Sequence, residues 1–410
     1  MLLEEIQSLT DRLFQGQVDL LPGVNEVFEL ELSYMEYHSL EKRELLDRSA
    51  YFKSVGGELT RHYKLFSKAI DGVIDDYVND ESHQFSSGYA SHGLFPYRGK
   101  FHPQMIKALM NITGIKAGDK ILDPMAGSGT TNIEAALLGF DSFAIDVSPF
   151  CQFMIQTKHE ALSIDPSLLE YLPPKRYDLF EYFEKGNVLA RLDDIADPEK
   201  KKVYNLAFLA YLDAMGYAKR VKKSDHPQLF GKVLIKYHTA MKNFLTNPLY
   251  PELHIGQLNM VSEPCAMNMN IEDSSIDCVI TSPPYSFAID YMENDYDQLV
   301  FLGYDPEIIR TKLIGLKGKS RSEKLDLYFN DMDKVCSEVS RILKCGKFFI
   351  MVIGSNTNQT GGICLENTII ESAKKYNMPL VKSMLKPIRG MRNTMKDEYV
   401  LMFKKGEMNA

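Results

Sequence analysis

The chain has 410 residues, of which 45% are hydrophobic, and its formal net charge at pH 7 is -8. A chain of this length buries a large core and is expected to form two or more lobes. The acidic balance excludes a protein that coats nucleic acid with its whole surface, although it is compatible with a local basic groove.

The cysteines and the N-terminus predict a reduced, cytoplasmic protein. The six cysteines form no Cys-x-x-Cys pair and no His/Cys spacing typical of a metal site, so we expect neither disulfides nor a metal. The opening stretch MLLEEIQSLTDRLFQG carries acids where a signal peptide requires bases. No apolar run approaches membrane-spanning length, so we expect no contact with a membrane.

Residues 1–94 predict an N-terminal helical region. Apolar residues recur at helical spacing from Leu2 to Leu13 and again from Phe66 to Ile74. A helical lobe packed on the core is the main interpretation, and contact with DNA is the alternative. The polar, Ser/Gly-rich stretch 79–92 predicts a linker or mobile loop.

A strand, a glycine loop and a helix follow one another over residues 118–137. Glycines such as Gly127 let a ligand approach the backbone, and the N-terminus of the helix offers free N–H groups. The next strand ends at Asp146, about 20 residues further on, a spacing that suits hydrogen bonds to ribose hydroxyls. Asn132 stands where the dinucleotide pattern has its third glycine. The order predicts a nucleoside-bearing cofactor, and a βαβ unit whose glycines only serve packing is the alternative.

Residues 151–262 interrupt this alternation of strands and helices. Apolar residues at helical spacing from Leu206 to Met215 and from Val233 to Tyr237 predict a helical insertion. Its basic run, 219–223, is interpreted as a solvated face, with contact to a nucleic-acid backbone as the alternative.

A second motif ends a buried strand. The apolar pair Val279–Ile280 predicts the end of the strand, and Pro283 and Pro284 prevent its continuation because proline fixes φ and lacks an N–H. This stiff turn brings the Ser282 hydroxyl, the Pro283 carbonyl and the Tyr285 ring into one small space. The two oxygens can accept hydrogen bonds from an exocyclic amino group, and the ring can stack on a planar base.

The rest of the chain predicts the other half of an α/β sheet with helices on both faces. Basic residues between 310 and 324 lie close in sequence to the proline turn and are candidates for phosphate contacts. A helix over Val335–Leu343 and a strand over Phe348–Ile353 follow. We expect the last strand, Glu398–Phe403, at the edge of the sheet.

The two motifs together resemble those of the S-adenosylmethionine-dependent DNA amino-methyltransferases. These enzymes transfer a methyl group to an exocyclic nitrogen of cytosine or adenine. The resemblance rests on DPMAGSGTT at 123–131 and TSPPY at 281–285. Residues 95–103 resemble the family's N-terminal cofactor motif, and Leu343–Gly346 resembles its late turn, with a departure at Cys345.

The resemblance implies a Rossmann-like methyltransferase sheet and a division of the chain into four regions. Residues 1–94 form the N-terminal helical region, 95–150 the cofactor-binding half, 151–262 a helical insertion for target recognition, and 263–405 the catalytic half. The implied cofactor is S-adenosylmethionine, and the implied substrate is double-stranded DNA whose target base flips out to stack on Tyr285. A cognate restriction endonuclease is the partner to consider.

The family motifs assign the site residues. The implied catalytic residues are Ser282, Pro283, Pro284 and Tyr285. The implied cofactor-binding residues are Phe101, Pro103, Asp123, Pro124, Gly127, Ser128, Gly129, Thr130 and Asp146. Among these, Asp123, Gly127 and Gly129 are expected to hold the methionine end, and Asp146 the ribose. The acid that often contacts the adenine has no counterpart near Pro264-Cys265-Ala266, so the adenine pocket stays unassigned.

Serine before Pro-Pro-Tyr is more usual in members that methylate N4 of cytosine, so that reaction is favoured. An N6-adenine DNA methyltransferase and an RNA amino-methyltransferase are the alternatives within the same chemistry. Pro264-Cys265 superficially offers the nucleophile of a C5-cytosine methyltransferase. An NAD-dependent oxidoreductase on the same sheet and a non-catalytic DNA-binding module are the remaining alternatives.

Overall fold

The computed structural model describes residues 27, 31, 40–51, 54–55, 57–66, 87–97, 99–220, 225–261, 265–284, 291–354, 360, 363–387 and 397–407. The helices expected over 2–13 and beyond residue 66 lie outside this range, as does Tyr285.

The described strands and helices alternate as an α/β protein requires. The strands are β1 (Ser54–Val55), β2 (Glu58–Leu59), β3 (Lys120–Asp123), β4 (Asp141–Ala144), β5 (Leu258–Met260), β6 (Ile276–Thr281), β7 (Leu343–Gly354), β8 (Leu380–Pro387) and β9 (Asp397–Lys404). The helices are α1 (Lys42–Arg48), α2 (Arg61–Phe66), α3 (Pro103–Ile112), α4 (Thr130–Leu137), α5 (Pro149–Ala161), α6 (Pro166–Leu169), α7 (Arg176–Glu184), α8 (Val188–Asp193), α9 (Pro198–Arg220), α10 (His226–Leu245), α11 (Tyr291–Phe301), α12 (Pro306–Arg310), α13 (Arg321–Ile342) and α14 (Leu365–Lys375). Short 3₁₀ helices span Ala90–Gly93 and Tyr250–Glu252.

Seven strands form one sheet in the order β5-β4-β3-β6-β7-β9-β8. The pairs from β5 to β7 are parallel, and β9 runs antiparallel to both β7 and β8. The strand order reverses between β3 and β6, and an open α/β sheet binds its ligand at such a point, outside the carboxyl ends of the strands. The predicted Rossmann-like α/β sheet is therefore confirmed.

Helices cover both faces of this sheet, which explains why β6 is buried along its whole length. Cys278 and Ile280 belong to the apolar cluster that contains Leu109 of α3. Val279 points to the other face and belongs to the cluster that contains Val335 of α13. A central parallel strand has no solvated face, so its sequence is a continuous apolar run.

The helices between β4 and β5 pack around a large apolar cluster, which includes Leu206, Tyr211 and Leu234 and extends to Ile133 of α4 and Leu299 of α11. The division of the chain at 151 and 262 stays a prediction, although the run of helices α5 to α10 agrees with it. The short strand β5 lies inside this stretch and extends the sheet beyond β4. A strand of three residues is too short to show the alternation of apolar and polar residues from which a strand is predicted.

The linker expected over residues 79–92 is wrong where the structure describes it. Tyr89, Ser91 and His92 are buried. The Tyr89 hydroxyl donates to Glu134 Oε1 at 2.5 Å, and His92 Nε2 lies 2.7 Å from the same oxygen. The Ser/Gly-rich composition suggested a loop, whereas these two side chains anchor the segment to α4.

The last strand and the late turn at Leu343–Gly346 both differ from what the sequence predicts. Strand β9 lies between β7 and β8 instead of at the edge, because β8 pairs with its outer side. The late turn at Leu343–Gly346 is an irregularity inside β7, where Gly346 has a φ of 74° and the pairing with β6 shifts register. Across the described ranges, the helices are too short or too polar to cross a membrane.

Candidate active site

A cleft lies at the carboxyl ends of β3, β4 and β6. Its empty volume is about 960 Å³, open mouth included. The walls come from residues 97 and 99–101, the glycine loop after β3, residues 146–148 after β4, Cys151 of α5, residues 265–267, residues 282 and 284 after β6, Asp295 of α11 and residues 312–314.

The cleft brings together most of the residues that the family motifs assign. Eight of them line it: Phe101, Pro124, Gly127, Ser128, Thr130, Asp146, Ser282 and Pro284. Four others do not line it: Pro103, Asp123, Gly129 and Pro283. Tyr285 lies outside the described residues.

The glycine loop requires glycine at two positions for steric reasons. Gly127 has a φ of 52°, and a Cβ there would lie 3.3 Å from the ring of Tyr97. Gly129 has a φ of 77°, and its Cβ would meet Ile155 of α5 at 3.0 Å. The left-handed conformation is costly for other residues. Gly129 therefore shapes the loop from behind the cleft, and its contact with the methionine end of the cofactor stays a prediction.

Asn132 explains why the third glycine is dispensable. Its side-chain amide donates to the Phe143 carbonyl at 3.0 Å, which ties α4 to β4. The glycine of the dinucleotide pattern lets helix and strand approach closely. Here a buried hydrogen bond connects the same two elements.

Asp146 fixes the loop from the neighbouring strand. Its carboxylate accepts a hydrogen bond from the Gly127 N–H at 2.8 Å and another from the Ser148 N–H at 2.8 Å. Burial raises the pKa of this carboxyl to about 6, although both backbone bonds act in the opposite direction. A carboxylate has about four acceptor positions, so each oxygen keeps capacity for a ribose hydroxyl.

Asp123 lies behind the cleft wall. It is fully buried, and its Oδ1 accepts a hydrogen bond from the Thr281 hydroxyl at 2.7 Å. Burial raises the pKa of Asp123 to about 6 against the hydrogen bonds from the Thr281 hydroxyl and the Met125 N–H. These contacts connect β3 to the end of β6, and the role of Asp123 in holding the cofactor stays a prediction.

A buried lysine supports the same loop. Lys158 of α5 is 1% exposed, and its ammonium lies 3.3 Å from the Ser128 carbonyl as a donor. Burial, followed by the charge of Lys100, lowers the pKa of Lys158 to about 7. Lys100 lines the cleft but donates to the carbonyls of Ser87 and His92 at 2.8 and 2.7 Å. The Lys100 ammonium is therefore bound by backbone carbonyls.

The cleft also contains residues that the motifs did not assign. Cys265, Ala266 and Met267 line the cleft although no acid stands there, so an apolar surface is available for the adenine ring. Tyr97 lies in the segment 95–103, which resembles the family's N-terminal cofactor motif. No sequence motif identifies Asp295, which only follows the proline turn along the chain. In the described part of the chain, no His, Cys, Asp or Glu cluster suits a metal ion.

Of the two basic segments predicted from the sequence, few described side chains line the cleft. Lys219 of the run 219–223 forms an ion pair with Asp297 at 2.7 Å, and residues 221–224 lie outside the described range. Of the basic segment 310–324, Lys312 reaches the cleft, and Lys317 pairs with Asp331 at 2.8 Å.

Comparison with known proteins agrees with this geometry. The family model described as "UPF0020: RMKL-like, methyltransferase domain" matches residues 94–171. The type II methyltransferase M.BsoBI of Geobacillus stearothermophilus is 23% identical, and the match covers 64% of each chain. The type II methyltransferase M.MjaII of Methanocaldococcus jannaschii is 29% identical over 28% of this chain and 22% of its own.

Two further similarities are narrower or weaker. The tRNA (guanine(10)-N2)-dimethyltransferase of Methanothermobacter thermautotrophicus is 42% identical, over 13% of this chain and 16% of its own. A solved S-adenosylmethionine-dependent methyltransferase from Methanosarcina mazei covers 71% of this chain and 94% of its own at 11% identity, with a TM-score of 0.33.

The sheet order, the glycine loop and the acid after β4 are those of a methyltransferase fold, in agreement with the methyltransferase-domain model that matches residues 94–171. Within that class, the Ser-Pro-Pro-Tyr motif and the two type II relatives agree with the resemblance to DNA amino-methyltransferases. The cleft suits the cofactor, because Gly127 and Ser128 offer a close backbone, Asp146 offers ribose acceptors, and residues 265–267 offer an apolar surface.

Proposed function

We propose that this chain transfers a methyl group from S-adenosylmethionine to the exocyclic N4 of cytosine in DNA. The observation that carries the proposal is that Ser282 and Pro284 line the same cleft as Gly127 and Asp146. The residues suited to an amino group and those suited to the cofactor therefore face one another. The two type II methyltransferases among the relatives support DNA as the substrate.

The chain's own part in the reaction is to position and desolvate an amino group. When bound, S-adenosylmethionine supplies a methyl group that a positively charged sulfur already activates. The amino nitrogen of cytosine is a poor nucleophile because its lone pair is delocalised into the ring. Hydrogen bonds from its two N–H groups to the Ser282 hydroxyl and the Pro283 carbonyl would favour a pyramidal nitrogen whose lone pair is available. Positioning of this kind accounts for much of the rate in such sites.

The frame of the turn is stiff enough for this role. Thr281 ends β6 and donates a hydrogen bond to Asp123, and Pro283 is buried. Two consecutive prolines restrict the backbone after Ser282. Ser282 itself is half-buried and lines the cleft.

Access to the target requires a base outside the duplex. A cleft that is closed on the side of the sheet cannot admit a stacked base pair, so the base would flip out, with Tyr285 as its stacking partner. The helical body between β4 and β5 is proposed to carry target recognition. Double-stranded DNA and a cognate restriction endonuclease are the proposed partners, and the cytoplasm is the proposed compartment.

Two alternatives differ in the base or the polymer. Methylation of adenine N6 uses the same acceptors on another amino group, and serine before Pro-Pro-Tyr is the reason for preferring cytosine. An RNA substrate gains support from the tRNA methyltransferase, because N2 of guanine is also an exocyclic amino group. That similarity covers 13% of this chain, so DNA remains the proposal.

A transfer assay with purified protein separates these possibilities. Labelled S-adenosylmethionine is incubated with duplex DNA, single-stranded DNA and tRNA, and the products are digested to nucleosides. We expect label in N4-methylcytosine from duplex DNA. Label in tRNA alone would replace the DNA proposal with the RNA one.

Cys265 receives a separate test because it lines the cleft. In the proposed reaction no thiol attacks the base, so Cys265→Ala retains transfer to the amino group. A C5-cytosine methyltransferase requires a cysteine nucleophile and would lose all activity. Loss of activity together with 5-methylcytosine in the wild-type product would establish that rival.

A further inference from the structure

Asp295 is a buried carboxyl group that faces the cleft. It lies on α11, is 5% exposed and forms part of the cleft wall. Among the described residues its carboxyl group accepts no hydrogen bond and forms no ion pair, in contrast to Asp146, which accepts two. Buried acids normally have a partner, because an ionised carboxylate is costly to remove from water.

The charges around Asp295 do not provide that partner. Asp146 is the nearest influence of the same sign, and Tyr97 and Cys151 are uncharged in this surrounding, where burial raises the pKa of each well above its usual value. Lys100 also lines the cleft, but two backbone carbonyls accept its hydrogen bonds. Lys312 is an exposed residue at the rim.

Among the side chains that the structure describes, the helices that pack against α11 add no cation to this surface. Lys158 of α5 is directed to the Ser128 carbonyl, and Lys219 of α9 pairs with Asp297 on the outer side of α11. Asp213 of α9 accepts a hydrogen bond from Tyr237, and Arg310 of α12 lies 3.5 Å from Glu307. Two acids thus face one cleft, and among the described cations Lys100 and Lys158 donate to backbone carbonyls whereas Lys312 lies exposed at the rim.

We propose that Asp295 is the counter-ion for the positive charge at the methionine end of S-adenosylmethionine, either its sulfonium or its ammonium group. The inference rests on the cofactor and not on the nucleic-acid substrate. It goes beyond the motif-based assignment, in which Asp146 serves the ribose and no residue is assigned to the positive charge. Because binding needs no nucleic acid, its test is independent of which polymer is methylated.

The protonation of Asp295 provides a second readout. Burial, followed by the charge of Asp146, raises the pKa of Asp295 to about 8. At pH 7.5 a large share of the free protein therefore holds a proton there, while Asp146, with a pKa of about 6, is mostly ionised. A cation in the cleft favours the ionised carboxylate, so binding releases a proton.

The test compares Asp295→Asn with wild type for three ligands by calorimetry. S-adenosylmethionine carries both positive groups, S-adenosylhomocysteine carries only the ammonium, and 5′-methylthioadenosine carries neither. The matched control is Asp297→Asn, which makes the same change two residues further along α11, on an exposed acid paired with Lys219.

We expect Asp295→Asn to weaken S-adenosylmethionine binding by at least about tenfold, because an interaction with a buried charge is lost. Binding of 5′-methylthioadenosine and all binding to Asp297→Asn should match wild type. An equal loss for S-adenosylhomocysteine identifies the ammonium as the partner, and an unchanged affinity for it identifies the sulfonium. Unchanged affinity for S-adenosylmethionine, or an equal loss for all three ligands, would overturn the proposal.

A measurement on the wild-type protein covers the case in which the variant does not fold. Titrations at pH 7.5 in two buffers with different ionisation enthalpies count the protons exchanged on binding. We expect release with S-adenosylmethionine and none with 5′-methylthioadenosine. No release with S-adenosylmethionine would contradict the proposal without reference to any variant.

Discussion

The Thr281 hydroxyl donates a hydrogen bond of 2.7 Å to the carboxylate of Asp123, and this contact joins the two motifs of the site. Asp123 ends the strand that leads into the glycine loop, and Thr281 ends the strand that leads into the proline turn. The motifs are far apart in sequence, yet β3 and β6 pair in the sheet and this buried bond joins their ends. Catalysis by positioning requires such a connection.

Removal of this bond should affect both stability and binding. Thr281→Val keeps the shape of the side chain but leaves a buried carboxylate without one of its donors. We expect the free energy of unfolding to fall by about 1–3 kcal/mol and cofactor affinity to decrease. Urea denaturation and calorimetry measure the two effects. Thr281→Ser retains the hydroxyl and should retain most of the affinity, and a Val variant as stable as wild type would contradict this role.

Gly129 should tolerate no side chain although it does not touch the cleft. Gly129→Ala imposes a left-handed conformation on alanine, at about 1–2 kcal/mol, and places its Cβ 3.0 Å from Ile155. The loop must shift, so we expect lower thermal stability and weaker S-adenosylmethionine binding. The control is Gly57→Ala, at another left-handed glycine with no neighbour within 4 Å of the added Cβ. It should lose stability by the backbone effect without losing affinity.

The buried acids of the site should make the cofactor-free protein less stable as pH rises. The pKa values of Asp123 and Asp146 are raised to about 6 and that of Asp295 to about 8, so the folded state favours their protonated forms. The contribution of these groups to the free energy of unfolding is fully present below pH 3.8, the pKa in the unfolded chain. It decreases as pH rises through the folded-state pKa values and no longer changes well above pH 8.

Asp295→Asn isolates one part of that pH dependence. The variant cannot ionise, so the cofactor-free protein should melt at a higher temperature than wild type at pH 8.5 and within error of it near pH 4. Thermal denaturation across this range provides the comparison. A variant that is less stable than wild type at pH 8.5 would show that the carboxylate has a partner in the free protein. The expected gain in stability with loss of affinity is typical of a strained binding site.

The sequence predicts the parts of the site that backbone chemistry dictates. Glycines at positive φ and consecutive prolines have few structural meanings, so the loop at Gly127 and the turn at Pro283 are recognisable as local patterns. The apolar run of β6 likewise predicts a central strand. Eight of the assigned residues line one cleft because parallel strands end at the same edge of the sheet.

The remaining features depend on contacts between distant residues. Asp295 is one acid among several on a polar helix, and only its burial beside Asp146 makes it notable. Tyr89 and His92 lie in a stretch with the composition of a loop, and their partner Glu134 is on another element. Strand β5 has three residues, and the inner position of β9 is decided by the pairing of β8.

The most direct test of the proposed reaction is mass spectrometry of nucleosides from a methylation-free host that expresses this chain. The control is the same host with Ser282→Ala, which removes one acceptor for the amino group and should leave S-adenosylmethionine binding nearly intact. We predict N4-methylcytosine in the DNA with the intact protein and none with the variant. N6-methyladenine instead would overturn the choice of base, and an equal yield of methylated base from Ser282→Ala would contradict the role of the proline turn.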